Sequence, residues 1–410
     1  MKPMGQVPAD FTGEDGELLI AGRRVRDILA QAGSTPLFVY DLGIVRRRFD
    51  ALRTAMPSAL SLHYAMKANP YPPLLAAMTG IVDGIDVASV GEMRLALSGG
   101  AVAEHMSFAG PGKRDDEIEA AIGAGVTLNC ESEGEAERAF SIGDRIGAAP
   151  RLAVRVNPDF ELKGSGMRMG GRPTAFGVDA ARVPPLVRRI ADRGAEWRGF
   201  HIYSGSQALD PEALIETQAA TVALAARLAE EAGMSPPHVN LGGGFGIPYF
   251  PNEVPLDIAR IGAALGQTLD LRPAALASTG FAIELGRWLV GECGVYLARV
   301  IDRKQSHGET FLVTDGGLHH QLAASGNFGT VVRRNYPLAV ATRFGMEVEE
   351  SVTVVGCLCT PLDVLGNQTG LPRADVGDII AVFMAGAYGA SASPSGFLGH
   401  GPAREILLGN

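Results

Sequence analysis

No apolar stretch in this 410-residue chain is long enough to span a bilayer, so a membrane-integral role is not expected. The opening residues, MKPMGQVPADFTGEDGELL, lack the apolar core of a secretory signal. Cysteine is scarce. Four residues, Cys130, Cys293, Cys357 and Cys359, are too few for a disulfide framework at this length, which points to the reducing cytoplasm. Two of them form a C-x-C pair with no second pair and no histidine close by in sequence, so no metal site is expected there. Charge of one sign never accumulates into a tail. The formal net charge of −9 gives no electrostatic case for nucleic acid or an anionic membrane surface as a partner. Low-complexity segments and internal repeats are absent as well.

What is present is an ordinary globular composition, 46% hydrophobic, in a chain long enough for two or three domains and a large core. From residue 36 to 285, short runs rich in β-branched residues alternate with stretches of helical period. Eight strands can be read: LSLHYAM, GIDVAS, HMSFAG, GVTLNCE, RLAVRVN, WRGFHIY, HVNLGG and FAIEL. Between them lie helix candidates such as SVGEMRLALSGG and PEALIETQAATVALAARLAEEAG, the second stopping at Gly233. Eight βα units predict a (β/α)₈ TIM-like barrel, with a doubly wound open sheet as the alternative that periodicity leaves open. After residue 286 the helical period fades. WLVGECGVYLARVIDRK, ETFLVTDGG, SVTVVGC and GDIIAVFM read as strands of a separate β-domain, which the N-terminal GELLIAGRRV joins. The expected division is therefore 36–285 for the barrel and 1–35 with 286–410 for the β-domain.

In such a barrel the chemistry collects at the C-terminal ends of the strands. Those positions hold Lys67, then Asp86 with Ser89 and Glu92, then Glu131, Arg155 and Asn157. His201, Ser204, the Gly242–Gly244 run, and Glu284 with Arg287 complete the set. Each has an ordinary structural explanation. A lone lysine begins a loop and reaches water, three glycines make a turn, a histidine packs in the core, and Glu284 pairs with Arg287. Their coincidence is harder to explain that way. A lysine, an acid able to face a ring nitrogen, a histidine able to stack on a flat ring and a glycine-rich cradle for an anion are what pyridoxal 5′-phosphate (PLP) requires.

These motifs resemble the fold-type III PLP-dependent decarboxylases, the diaminopimelate and ornithine decarboxylase family, over nearly the whole chain. YAMKANP, DVASVGE, RVNP, HIYSGSQ, LGGGFG, ELGR, GCLCTPLD and GAYG occur in the family's order. GGLHHQLAASGNFG and CTPLD are most similar to a subgroup associated with exosortase and exopolysaccharide clusters. That subgroup is itself similar to decarboxylases of carrier-protein-bound glutamyl groups in aminoglycoside biosynthesis. The resemblance implies an alanine racemase-like barrel and a C-terminal β-domain of sandwich or barrel type. It further implies that Lys67 carries the cofactor, His201 stacks on its ring and Glu284 serves the pyridine nitrogen. Ser204, Gly243, Gly244, Arg287 and Tyr388 would hold the phosphate, and Asp86, Glu92 and Arg155 would surround the ring and His201. Cys359, a candidate proton donor, and Asp363 would enter the partner subunit's site, implying a homodimer with shared active sites.

Four departures stand out. Leu285 replaces the usual proline of ELGR, Tyr203 a common glycine, and Ala175 a lysine before Phe-Gly. Thr360 follows Cys359 where the family usually carries an acid against the substrate's distal ammonium. This last change implies a substrate with a neutral or acylated distal end, such as a carrier-tethered glutamyl group, rather than a free diamino acid. Decarboxylation of free diaminopimelate, ornithine or lysine is the alternative. A racemase is disfavoured because Glu284 stands where racemases place arginine, and a non-catalytic homologue because the lysine and phosphate residues are retained.

Overall fold

The computed structural model describes residues 1–160, 167–168, 173–325 and 334–409. Residues 326–329, the end of the GGLHHQLAASGNFG motif, lie outside these. The chain forms two compact units, one comprising Phe49–Gly246 and Pro255–Gly286, the other Met1–Arg48, Ile247–Val254 and Arg287–Asn410. Among the described residues no helix is long and apolar enough to cross a membrane.

The first unit is the barrel. Its strands are β1 (Leu60–Ala65), β2 (Gly84–Val87), β3 (Met106–Phe108), β4 (Thr127–Cys130), β5 (Arg151–Asn157), β6 (Glu196–Ile202), β7 (His238–Asn240) and β8 (Gly280–Leu285). All eight coincide with the strands expected from the sequence. Every neighbour pairs in parallel, and the ring is closed. β8 pairs with β1 from Phe281 against Leu60 to Leu285 against Tyr64, and β4 pairs with β5 from Leu128 against Leu152 to Cys130 against Val154. A doubly wound sheet would leave two edges, so the open-sheet alternative is excluded. The strands are largely buried, as in parallel sheets covered by helices on one face and packed side chains on the other.

Local chemistry sets the helix boundaries. Ser89 and Ser132 cap the helices Val90–Ser98 and Glu133–Ile146 by accepting from the amides of Glu92 and Glu135. The long helix Pro211–Ala232 starts with Asp210 as cap and Pro211 in its first turn. It stops at Gly233, whose φ of 71° is open to glycine without strain.

The second unit is a mixed β-sheet. The order runs Leu338–Val340, Ile379–Val382, Gly294–Ser306, Glu309–Thr314, Glu350–Val355, Val364–Leu371. The long Gly294–Ser306 strand also pairs with Leu37–Asp41, which pairs in turn with Arg404–Leu408. Leu37–Asp41 falls inside the span expected for the barrel, yet its partners are strands of the β-unit. Its five buried residues have the period of neither an amphipathic helix nor a half-exposed strand, so the sequence alone gave it no address. The N-terminal Thr12–Glu14, Glu17–Ile20 and Arg23–Arg24 form a small antiparallel sheet in the same unit. The start of the segment from Trp288 expected to be strand belongs instead to a short helix, Arg287–Val290.

Candidate active site

The C-terminal ends of the barrel strands carry Lys67, Asp86, Arg155, His201 and Glu284. Lys67 lies in the short turn Met66–Ala68 that follows β1, fixed by the Tyr64 hydroxyl donating to the Asn69 carbonyl at 2.8 Å and by the Asn69 side chain accepting from the Tyr71 amide at 3.0 Å. Its side chain is exposed. The Nζ sits 5.7 Å from the centroid of Tyr203, within reach of a cation–π attraction. Tyr203, one of the departures from the family pattern, thus borders the lysine.

On the neighbouring strand, Glu284 at the end of β8 is buried and accepts two hydrogen bonds on Oε2, from His201 Nε2 at 2.9 Å and from Asn240 Nδ2 at 3.1 Å. Burial pushes its carboxyl upward. His201, Lys67 and Arg155 outweigh that and hold it far down, at about 2. The acid is therefore an anion, able to hold a cationic or proton-bearing group. Arg287, the partner that a plain ion-pair reading would give it, instead donates to the Tyr249 hydroxyl at 2.8 Å within the β-unit and lies 4.8 Å from the Tyr388 ring centroid. Burial lowers the Arg287 pKa, but Tyr249 and Tyr388 raise it above its usual value on balance. Its assignment and that of Tyr388 to a phosphate rest on the resemblance alone.

Asp86 on β2 is held by Ser107 Oγ, with His63 Nδ1 3.5 Å from its Oδ1. Its hydrogen-bond contacts thus run to β1 and β3. Glu92 accepts from the Ala88 amide at 2.6 Å, closing the helix start, and burial raises its carboxyl above the usual range against the pull of that amide and of Lys67. Arg155 donates to Glu131 at 2.8 Å and packs 4.8 Å from the Phe176 centroid. Glu131 also takes the amides of Gly110 and Gly177, tying three loops to one carboxylate.

Asn240 was not singled out from the sequence. It sits at the end of β7, donating to Glu284 and accepting from the Gly242 amide at 2.8 Å, so one amide side chain joins the acid to the glycine turn. The signal was available, since Asn240 occupies the strand-end position, but the glycines behind it drew the reading.

That glycine turn is tightly built. A Cβ on Gly243 would lie 1.9 Å from the Glu284 carbonyl oxygen, and Gly242 and Gly244 have φ of 71° and 88°. Beside the turn, His201 Nδ1, Ser204 Oγ and Ser206 Oγ are buried without a hydrogen-bond partner. Buried polar atoms left unpaired are costly, and together with a backbone turn that excludes side chains they fit a bound, hydrogen-bonding anionic group.

The family model for the pyridoxal-dependent decarboxylase, pyridoxal binding domain, matches residues 42–291. The chain belongs to this decarboxylase family. It is 36% identical over 388 residues, 93% of this chain and 90% of the relative, to the L-glutamyl-[BtrI acyl-carrier protein] decarboxylase of Niallia circulans. It is 29% identical, over 94% of this chain and 96% of the relative, to the 2-[(L-alanin-3-ylcarbamoyl)methyl]-2-hydroxybutanedioate decarboxylase of Staphylococcus aureus. The crystal structure of diaminopimelate decarboxylase from Helicobacter pylori complexed with L-lysine superposes with a TM-score of 0.83 at 27% identity. It covers 93% of this chain and 94% of that one. The protein is a PLP-dependent decarboxylase with a TIM-like barrel and a separate mixed-sheet domain.

In the β-unit, Cys359 is exposed. Asp363, expected at the substrate, is buried to 2% exposure with Oδ1 on the Leu318 amide at 2.7 Å and Oδ2 on the Leu358 amide at 2.9 Å. Both oxygens are thus engaged in fixing the turn that carries Cys359 and Thr360. Thr360 is half-buried, and its Oγ1 accepts from the Leu362 amide at 3.4 Å.

Proposed function

We propose that this enzyme removes the α-carboxylate of an amino acid whose distal end is neutral or acylated, with a carrier-protein-bound glutamyl group as the substrate class. The observation that carries this reading is the turn Leu358–Asp363. Its one acid, Asp363, spends both oxygens on backbone amides. Its upward-shifted carboxyl, which burial raises against the pull of those amides, marks a group poorly placed to receive a cation. The nearest side chain offered beside Cys359 is the Thr360 hydroxyl, which can hydrogen-bond an amide, thioester or carboxyl oxygen but cannot neutralise an ammonium. The names of the Niallia and Staphylococcus relatives, with a carrier-linked glutamyl group and a carbamoyl-linked alanine, support the same choice.

Bound PLP supplies the electron sink for decarboxylation. This chain's residues would do the rest. Lys67 would hold the cofactor through its amine. Glu284, kept ionised by His201, Lys67 and Arg155, would hold a proton on the ring nitrogen. Ser204, Gly243 and Gly244 receive the phosphate, Asp86 and Arg155 keep the polar surroundings in register, and Cys359 returns a proton to Cα. We further propose a homodimer in which Cys359 serves the partner's site, in the cytoplasm, where four free thiols are at home.

The test compares carbon dioxide release from a glutamyl thioester on a carrier protein with release from free ornithine, lysine and diaminopimelate. Preference for the tethered glutamyl group is expected. Efficient turnover of a free diamino acid would favour the second reading, supported by the likeness to the diaminopimelate decarboxylase structure.

A further inference from the structure

The β-unit holds a second cluster of ligating side chains that the decarboxylase chemistry does not use. His319, Cys357 and His400 each bring one donor atom to within 4.8 Å of the other two. They come from three separate stretches of sequence, which is why the C-x-C pair alone gave no sign of them.

His319 is 0% exposed, yet neither its Nδ1 nor its Nε2 has a hydrogen-bond partner. A buried imidazole with both nitrogens unpaired is costly and uncommon. The neighbouring His320, with ring centroid 3.7 Å away, is by contrast fully engaged. Its Nε2 donates to the Gly401 carbonyl at 2.9 Å, and its Nδ1 accepts from the Tyr296 hydroxyl at 3.0 Å. That bond to Gly401 fixes the chain next to His400. Cys357 Sγ is 3.8 Å from His400 Nδ1 and 3.6 Å from the Asp315 carbonyl.

We propose that His319, Cys357 and His400 bind one borderline-soft divalent cation, zinc or a close analogue, leaving one coordination position for water or another oxygen donor. One sulfur and two imidazole nitrogens suit zinc and not calcium or magnesium, which take oxygen. On a tetrahedral zinc, donors stand roughly 3.3–3.7 Å apart, so the cluster needs to contract by about 1 Å. Cys357 is half-buried and His400 exposed, so the remaining position faces outward. Binding forms a sulfur–metal bond as the Cys357 S–H proton passes to water, and both histidines bind as neutral rings. Cys357 lies two residues before Cys359, so an ion here would fasten the His400 segment to the turn that bears Cys359 and Thr360.

The test uses PLP-loaded enzyme stripped by a chelator and freed of unbound cofactor. Titration with zinc against a chromophoric chelator should show one site per chain. Cys357→Ser and His319→Gln should each weaken it by roughly a hundredfold or more, with folding checked by circular dichroism. In the unsubstituted enzyme, zinc should slow alkylation of Cys357, read by site-resolved mass spectrometry, and leave Cys359 unaffected. Absence of zinc binding at micromolar free metal would overturn the proposal. So would unchanged affinity in both folded variants, or protection of Cys359 in place of Cys357.

Discussion

His201 Nε2 and Glu284 Oε2 are 2.9 Å apart in the interior of the barrel, and each fixes the other. The carboxylate accepts the ring N–H, so the edge of His201 and not its face is committed to the acid, a relation the sequence did not disclose. Glu284→Gln preserves the shape and removes the charge. Cofactor should be retained, because the residues proposed to hold its phosphate are untouched, while kcat should fall by roughly a hundredfold or more if the ring nitrogen loses its proposed anionic partner. Absorbance of bound PLP and steady-state carbon dioxide release measure the two effects separately. Near-normal kcat in the variant would mean that Glu284 only orients His201.

Asn240 carries the next prediction. Its amide bridges Glu284 and the Gly242 amide, both buried. Asn240→Ala strands one donor and one charged acceptor, which should cost about 1–3 kcal/mol of stability and lower kcat by roughly tenfold. Asn240→Asp should be worse, because a second carboxylate would stand beside the first. Thermal unfolding and turnover of the two variants would rank them, and an Asp variant as active as the native enzyme would defeat the argument.

The eight barrel strands were legible because a buried parallel strand announces itself as a short β-branched run between helical stretches. The strand-end placement of Lys67, Glu284, His201 and the glycines was legible because each directly follows or closes one of those β-branched runs. Leu37–Asp41 was not, since its pairing partners Gly294–Leu297 and Arg404–Leu408 are hundreds of residues away and nothing in its own five residues names them. Asp363 shows the same limit from the other side. Its residue type and motif suggested a substrate contact, but whether a carboxylate faces a ligand or two backbone amides is decided by the fold around it. The His319, Cys357 and His400 cluster is the extreme case, three residues with no sequence spacing in common.

His238 predicts a pH dependence. Burial, then the neighbouring His63 and Arg198, lower its pKa to about 4. The unfolded chain would protonate it near 6.5, so below that pH the unfolded state binds more protons and stability falls, until the folded state also titrates near 4. His63, whose ring centroid is 6.2 Å away, behaves oppositely. Burial lowers its pKa, but Asp86 raises it further, so its contribution is present at low pH and is lost as pH rises. His238→Asn should therefore flatten the decline in unfolding free energy between about pH 6.5 and 4, by up to ~1.4 kcal/mol per pH unit. Denaturant unfolding at several pH values reads this slope, and an unchanged slope would show that His238 is hydrated in the folded state.

The proposed sharing of active sites can be checked by complementation. Lys67→Ala and Cys359→Ala should each be inactive alone. After subunit exchange, one site of each mixed dimer would combine an intact Lys67 with an intact Cys359 from the other chain. Up to about a quarter of native activity is expected for random mixing, counted per total site. No recovery after exchange verified by mass spectrometry would show that each site is built from a single chain.

Thr360 allows the substrate reading to be inverted. Its hydroxyl oxygen accepts from the Leu362 amide, its own amide donates to the Leu358 carbonyl at 2.8 Å, and its carbonyl accepts from the Asp363 amide at 3.3 Å. An aspartate can take over the first of these bonds, because Asx turns use the same two-residue reach as hydroxyl turns. Thr360→Asp should therefore leave the turn folded, with Asp363 still clamping Leu318 and Leu358, and add only a charge. That charge would offset burial of a distal ammonium, which otherwise costs several kcal/mol. It would also repel or fail to bond the carbonyl oxygen of an acylated end. The expected outcome is a gain of roughly tenfold or more in kcat/KM for free ornithine, lysine or diaminopimelate, with a comparable loss for a carrier-bound glutamyl group. If both substrate classes respond equally, Thr360 does not face the distal end, and selection between them must come from elsewhere, with Tyr203 beside Lys67 the next residue to substitute.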